Sequence, residues 1–238
     1  MPPNSSPTHF LCIPLAGAQL ATTLASFRAD VTSAMSFGLP EEAVRPLGTL
    51  HLTLGVMSLK PDTVGKAVEL LRGLRARDML AEARIAAAGQ TLSRVGAGSE
   101  PVGSNTNKLS ITIRGLHSMQ PAAKAAVLYA PPADPQGILY DFCKRLRKPF
   151  QDAGLMADDN RPLLLHATLF NTVYVKNRGR GKGRDRLTVD ARDVLSRYDD
   201  YIWAEDLPIT RVALCRMGAK QIAGTDDAAY EMEAELRF

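Results

Sequence analysis

Apolar positions along this chain follow two spacings, and the spacing changes several times. Short apolar runs rich in β-branched and aromatic residues predict strands over HFLCIPL (9–15), TLHLTLGVMSL (49–59), KLSITIRGLHSM (108–119), AAVLYAPP (125–132), LPITRVALCRMGA (207–219) and YEMEAELRF (230–238). The alternation is plainest where Leu109, Ile111 and Ile113 fall on one side and Ser110, Thr112 and Arg114 on the other. ARIAAAGQTLS (83–93) reads as a weaker strand. Helical spacing appears over 18–36, through Leu20, Leu24, Phe27, Val31 and Met35, and ends at Gly38 and Pro40. It returns over 62–77, opened by Pro61-Asp62, over 137–153, through Ile138, Phe142, Leu146 and Phe150, and more briefly over 190–198. One further run, LLLHATLFNTVYVK (163–176), patterns as a buried strand yet is interrupted by His166, Thr168, Asn171 and Thr172. A polar group inside an apolar strand costs free energy unless it is hydrogen-bonded.

The resulting order is roughly β-α-β-α-β-β-β-α-β-α-β-β. It predicts an α+β fold with mostly antiparallel sheets and helices packed outside. A helix followed by a His-x-Thr strand occurs twice, which suggests a diverged duplication without close sequence repeat. Residues 1–7 are Pro- and Ser-rich and are expected to be disordered, leaving 8–238 as one domain. The low-complexity stretch 96–107 reads as a loop.

Composition narrows this picture in three ways. The 45% hydrophobic and 23% charged fractions over 238 residues are those of a globular chain with a sizeable core. No apolar run nears the roughly 20 residues that span a bilayer, and MPPNSSPTHF lacks the pattern of a secretory signal. Cys12, Cys143 and Cys215 are scattered and form no metal-ligand spacing, so an intracellular location (nucleus or cytoplasm), no membrane partner, no metal and no other cofactor are expected. The net charge is +4, but KNRGRGKGRDR (176–186) alone holds six basic residues and one acid, a net +5. The rest of the chain is therefore near neutral. The basic loop is either a solvated surface loop or a clamp for nucleic-acid phosphates or a nuclear-import patch.

The candidate chemistry lies in two matched motifs. His51-Leu52-Thr53 and His166-Ala167-Thr168 both sit in apolar strand runs, whereas a chain with four histidines would hold fewer than one His-x-Thr by chance. Residues i and i+2 of a strand share a face, so each imidazole projects with a threonine hydroxyl. Two such strands facing one groove present two groups that exchange protons near neutrality and two hydroxyl donors. That set suits displacement at phosphorus: one histidine as base, the other as acid, and the threonines on the non-bridging oxygens. A single strand histidine would more simply be a hydrogen-bonded core residue. Of the other two histidines, His9 lies in the first strand, where it can line the site, and His117 at a strand end on the surface. Phe170, four residues after His166, shares the site face if the strand is regular and can stack on a base; it is otherwise a core residue. Gly55, at the equivalent place after His51, leaves room for a ligand or marks a bulge.

Paired His-x-Thr motifs on a duplicated α+β scaffold resemble the two-histidine (2H) phosphoesterase superfamily, which includes the bacterial RNA ligase/cyclic phosphodiesterase group. THFLCIPLAG, LHLTLGVMSL, GLHSM…VLYA, LHATLFNT and RVALCRM are similar to one branch, the domain shared by the kinase-A anchoring protein and the activating signal cointegrator complex subunit. The resemblance runs from about residue 8 to 238. It implies a bilobal, pseudo-two-fold fold with sheets lining a central cleft, His51 and His166 as the catalytic pair, and Thr53 and Thr168 as phosphate ligands. Phe170, Lys176 and Arg178 are further candidate substrate contacts. The implied substrate is RNA or an oligonucleotide with a 2′,5′ linkage or a 2′,3′-cyclic phosphate, cleaved without a metal. The same four residues would also serve a non-catalytic nucleotide- or RNA-binding module of an RNA-processing, coactivator or repair complex of the cointegrator type. YEMEAELRF patterns as a strand rather than a kinase-anchoring helix, and the seven residues before the first strand leave no room for a KH module, so neither is expected.

Overall fold

A computed structural model describes residues 6–94, 108–157, 162–176 and 187–238. The expected loop 96–107 lies outside the described residues, as do the N-terminal five residues and all of the basic loop beyond Lys176. The chain runs β1 (His9–Pro14), α1 (Ala18–Thr32), β2 (His51–Met57), α2 (Pro61–Gly73), α3 (Ala76–Arg94), β3 (Leu109–Arg114), β4 (His117–Ser118), β5 (Val127–Ala130), β6 (Pro132–Ala133), α4 (Ile138–Asp152), β7 (Ala167–Asn171), α5 (Arg192–Arg197), β8 (Ile202–Ile209), β9 (Arg211–Arg216), β10 (Lys220–Gln221), β11 (Ala228–Ala229) and β12 (Met232–Arg237). Helices and antiparallel sheets are mixed, as the pattern predicts. Seven strands form one sheet in the order β12-β9-β1-β2-β7-β5-β4; β6-β3-β8 form a second, and β10-β11 a hairpin. All strand pairs among the described residues are antiparallel.

The large sheet separates two unequal apolar clusters. On one face Leu11, Ile13, Leu52, Leu54 and Leu169 pack with helical residues such as Leu71, Phe142, Leu146 and Phe150 in the main core. On the other face Phe10, Cys12, Ala213 and Cys215 form a small patch with Tyr230 against it. Alternation along β1 produces this division: odd positions face the main core and even positions the patch.

Four expectations are corrected. The segment 83–93 is the end of a helix, not a strand. Ala76, Leu80 and Ala83 are buried at helical spacing, the stretch is Ala-rich, and Glu82 meets Arg145 of α4. The helix expected to continue to 77 stops at Gly73, with Leu74 extended behind it. The run 108–119 splits at Gly115, whose φ of +75° and closeness to the Asp199 carbonyl exclude a side chain. Its two parts, β3 and β4, then enter different sheets. The run 207–219 is likewise two strands: β8, which begins earlier at Ile202, joins the small sheet and β9 the large one.

Candidate functional site

The strands that carry the two motifs are neighbours. β2 and β7 pair antiparallel, with Leu52 opposite Ala167. These are the middle residues of the two His-x-Thr motifs, and both are buried in the main core. Their flanking residues point to the opposite face. His51, Thr53, His166 and Thr168 are all partly exposed there. Continuing the register sets His51 beside Thr168 and Thr53 beside His166, cross-strand neighbours on the order of 5 Å apart. A pseudo-two-fold axis thus passes between Leu52 and Ala167.

The symmetry extends to a bulge. In β1 against β2, Cys12 pairs with Thr53 and Leu11 with Gly55, so Leu54 is an extra residue. In β5 against β7, Tyr129 pairs with Thr168 and Leu128 with Phe170, so Leu169 is extra. Each motif is therefore followed at once by a one-residue bulge, and the inserted residue turns later side chains to the other face. Phe170 is fully buried in the main core as a result. Its expected substrate contact is corrected on that ground, because spacing of four marks one face only in an unbroken strand. Gly55 is turned the same way: a Cβ there would lie 2.2 Å from Met156 Sδ, so its missing side chain makes room for Met156 and not for a ligand.

Both imidazoles are fixed identically. His51 Nδ1 lies 2.7 Å from the Thr49 carbonyl oxygen and His166 Nδ1 lies 2.9 Å from that of Leu164. A carbonyl only accepts, so each Nδ1 carries a hydrogen and each Nε2 keeps a lone pair or a second proton for the groove. Each ring also meets a tyrosine edge to face: Tyr230 against His51 at 5.3 Å and Tyr129 against His166 at 5.4 Å.

The surroundings are not symmetric. Thr49 is the buried last residue of a 3-10 turn, Leu47–Thr49, whose exposed Gly48 donates its N–H to the Asp227 carboxylate at the β10-β11 hairpin. Phe10 packs against the His51 ring at 4.8 Å. Burial pushes the His51 pKa down to about 4, with smaller contributions from the nearby His166 and Arg45 and an opposing one from the bond to Thr49. His166 instead follows the half-exposed Leu164 on an extended approach. Its tyrosine stacks in turn on His117, which lies on the exposed edge strand.

The strand predicted to reach residue 176 stops at Asn171. The Asn171 side chain accepts from the Val173 N–H and starts a 3-10 turn, Thr172–Tyr174. That turn carries Tyr174 over the Arg45 guanidinium, whose carbon sits 3.5 Å from the ring centroid. Tyr230 lies near enough to Tyr174 and Arg45 for both to act on its phenol, and burial above all pushes that phenol up to about 12. Sequence reading missed Arg45, Tyr129, Tyr174 and Tyr230. For Arg45 the one available signal was its place six residues before His51.

The remaining candidates are scattered. His9 is buried on the Leu11 side of β1, bonded to Thr8 Oγ1 and paired with Glu233, so it does not line the groove. Lys176 is exposed just beyond the Tyr174 turn, and Arg178 lies outside the described residues. No group of three His, Cys, Asp or Glu residues among the described residues is placed to hold a metal ion. No helix among them is long and apolar enough to cross a membrane.

Comparison with known proteins places this geometry. A family model of the AKAP7 2′5′ RNA ligase-like domain matches residues 7–238. Among solved structures, the fold is similar to a phosphoesterase (TM-score 0.51, 17% identity, 98% of each chain). It is also similar to Escherichia coli LigT complexed with 3′-AMP (0.51, 18%, 97% of each), and to TT0787 of Thermus thermophilus (0.53, 13%, 97% of each). An uncharacterized protein of Schizosaccharomyces pombe is 29% identical over 113 residues, 47% of this chain and 50% of that protein, so the match spans about half of that relative's length.

Proposed function

The chain belongs to the AKAP7 2′5′ RNA ligase-like family, and on that premise we propose that it is a phosphodiesterase acting on RNA or an oligonucleotide with a 2′,5′ linkage or a 2′,3′-cyclic phosphate. Family membership supports a phosphodiesterase-type activity. The observation that carries the finer reading is the matched pair of imidazoles, each with Nδ1 tied to the carbonyl two residues upstream. Both rings then offer Nε2 to one phosphate between the motifs.

His51, favoured as the neutral imidazole by burial, takes the proton of the attacking water. As the new P–O bond forms and the bond to the leaving oxygen breaks, His166 protonates that oxygen. Thr53 and Thr168 donate hydrogen bonds to the non-bridging oxygens, where charge grows in the transition state. The pair carries one proton before and after, moved from His166 to His51, and solvent restores the starting state. No step requires a metal. The basic loop after the second motif tracks the nucleic-acid backbone.

The test is a panel of 2′,5′-linked and 2′,3′-cyclic substrates with and without chelator. Turnover by the parent chain, unaffected by chelator and lost in His51→Ala and His166→Ala, is the expected result. Equal turnover by those variants ends the acid/base scheme. Nucleotide binding by the parent with no turnover leaves a nucleotide-binding module of a larger RNA-processing complex.

A further inference from the structure

We propose that Arg45 is a phosphate-binding residue of this site, its guanidinium held against the Tyr174 ring to receive the anionic oxygens of the same substrate phosphate. The proposal rests on the reading of the site as one for phosphoesters.

The first ground is charge. Arg45 is only 6% exposed, one of four buried polar residues among those described. The other three are matched: His9 by Thr8 and Glu233, Thr49 by the Pro46 carbonyl, and Thr172 by the Leu187 carbonyl. Nine other arginines each meet a carboxylate. Arg45 meets none among the described residues; its guanidinium packs against the Tyr174 ring. The Tyr230 phenol, raised to about 12, stays neutral and supplies no negative charge. A buried cation left without an anion is costly, and the cost is recovered when an anionic ligand arrives.

The second ground is position. The Arg45 N–H donates to the Leu169 carbonyl at 2.8 Å, directly after Thr168. Val44, one residue earlier, bridges to Phe170. Arg45 is thus anchored beside the second motif while it leads into the first. Tyr230, which the guanidinium influences, meets the His51 ring edge to face. A guanidinium has five N–H donors in one plane. Tyr174 covers its face, which leaves the N–H edge to other partners. None of its nitrogens is buried without a partner, so the other donors open outward.

The third ground is the reaction's own balance. A phosphodiester brings one negative charge and gains more in the transition state, whereas the histidine pair supplies one proton and the threonines none. A fixed guanidinium, able to bind two oxygens side by side, provides the missing positive charge in a partly buried site.

The test compares the parent with Arg45→Met and Arg45→Lys in calorimetry with inorganic phosphate and with adenosine monophosphate, in turnover, and in thermal melting. Arg45→Met is expected to weaken both ligands about tenfold or more and to lower kcat/KM about 100-fold or more. Arg45→Lys, which keeps the charge and loses the fork, is expected to fall between. Should Arg45→Met fail to fold, Arg45→Lys decides: a loss of several-fold in phosphate binding supports the contact. Binding and kcat/KM within threefold of the parent in the folded variants overturns it. Turnover lost with phosphate binding intact also overturns it, since Arg45 would then act only by positioning Tyr230 or His51. A parent chain that neither binds phosphate nor turns over any substrate overturns the underlying reading instead, a failure visible before any substitution.

Discussion

The two halves of the groove share a local plan and differ in what surrounds it. Around His51 and around His166 the plan is the same: Nδ1 on the carbonyl two residues back, a threonine two residues on, a bulge next, and a tyrosine edge against the ring. The first half is closed, with a 3-10 turn clamped by Asp227, Phe10 on the ring and Arg45 nearby. The second half is open, entered by an extended segment with Leu164 half exposed. Short-range geometry, repeated twice, gives a pair of identically held imidazoles. Burial around the first motif pushes the His51 pKa down and favours its neutral imidazole.

The strongest way to break the comparison is to remove each imidazole. His51→Ala and His166→Ala are both expected to lower turnover about 10³-fold or more, measured at saturating substrate. If one retains near-parental turnover, the halves are not partners in one reaction. Next comes the bulge, which makes Phe170 a core residue. Phe170→Ala is expected to cost about 3–5 kcal/mol of stability in denaturant unfolding, with phosphate binding by the folded protein unchanged. The opposite pattern, a small stability loss and a large binding loss, would return Phe170 to the site.

The asymmetry itself is sharpened by pH. The folded pKa of His51, about 4, lies below its ordinary value of 6.5. Above pH 6.5 neither state holds the proton, and the stability is fully present. As pH falls from 6.5 toward 4 the unfolded chain takes up a proton that the folded chain refuses, so stability declines, by on the order of 3 kcal/mol over the window. Unfolding free energies at pH 7 and pH 4 are expected to differ less in His51→Gln than in the parent by that amount. An unchanged difference would show that His51 is not held neutral by the fold. The smallest effects belong to the hydroxyls. Thr53→Val and Thr168→Val, which keep shape and lose the donor, are each expected to lower kcat/KM about tenfold to a hundredfold. A variant without effect identifies a threonine that does not reach the phosphate.

Much of the site was legible because its core is local. His51 with Thr53, and His166 with Thr168, are fixed by the strand period alone, and the duplication was visible as a repeated order of elements. The errors arose where long-range contacts override a local pattern. ARIAAAGQTLS, ambiguous in period, became helix once Ala83 packed inward and Glu82 met Arg145. Phe170 was placed on the wrong face because a bulge depends on the partner strand: only pairing with Leu128 and Tyr129 reveals Leu169 as the extra residue.

The sequence by itself therefore determined which threonine shares a face with each histidine, since that follows from two residues of extended backbone. Only the tertiary structure decided that the two motifs lie side by side through Leu52 and Ala167, and that the bulges turn Gly55 and Phe170 inward. It also decided that the Arg45 guanidinium packs against the Tyr174 ring beside the second motif. The bulges join residues about forty positions apart, and the other two outcomes join residues more than a hundred apart. They are set by which apolar faces bury together, and no spacing within either motif encodes that.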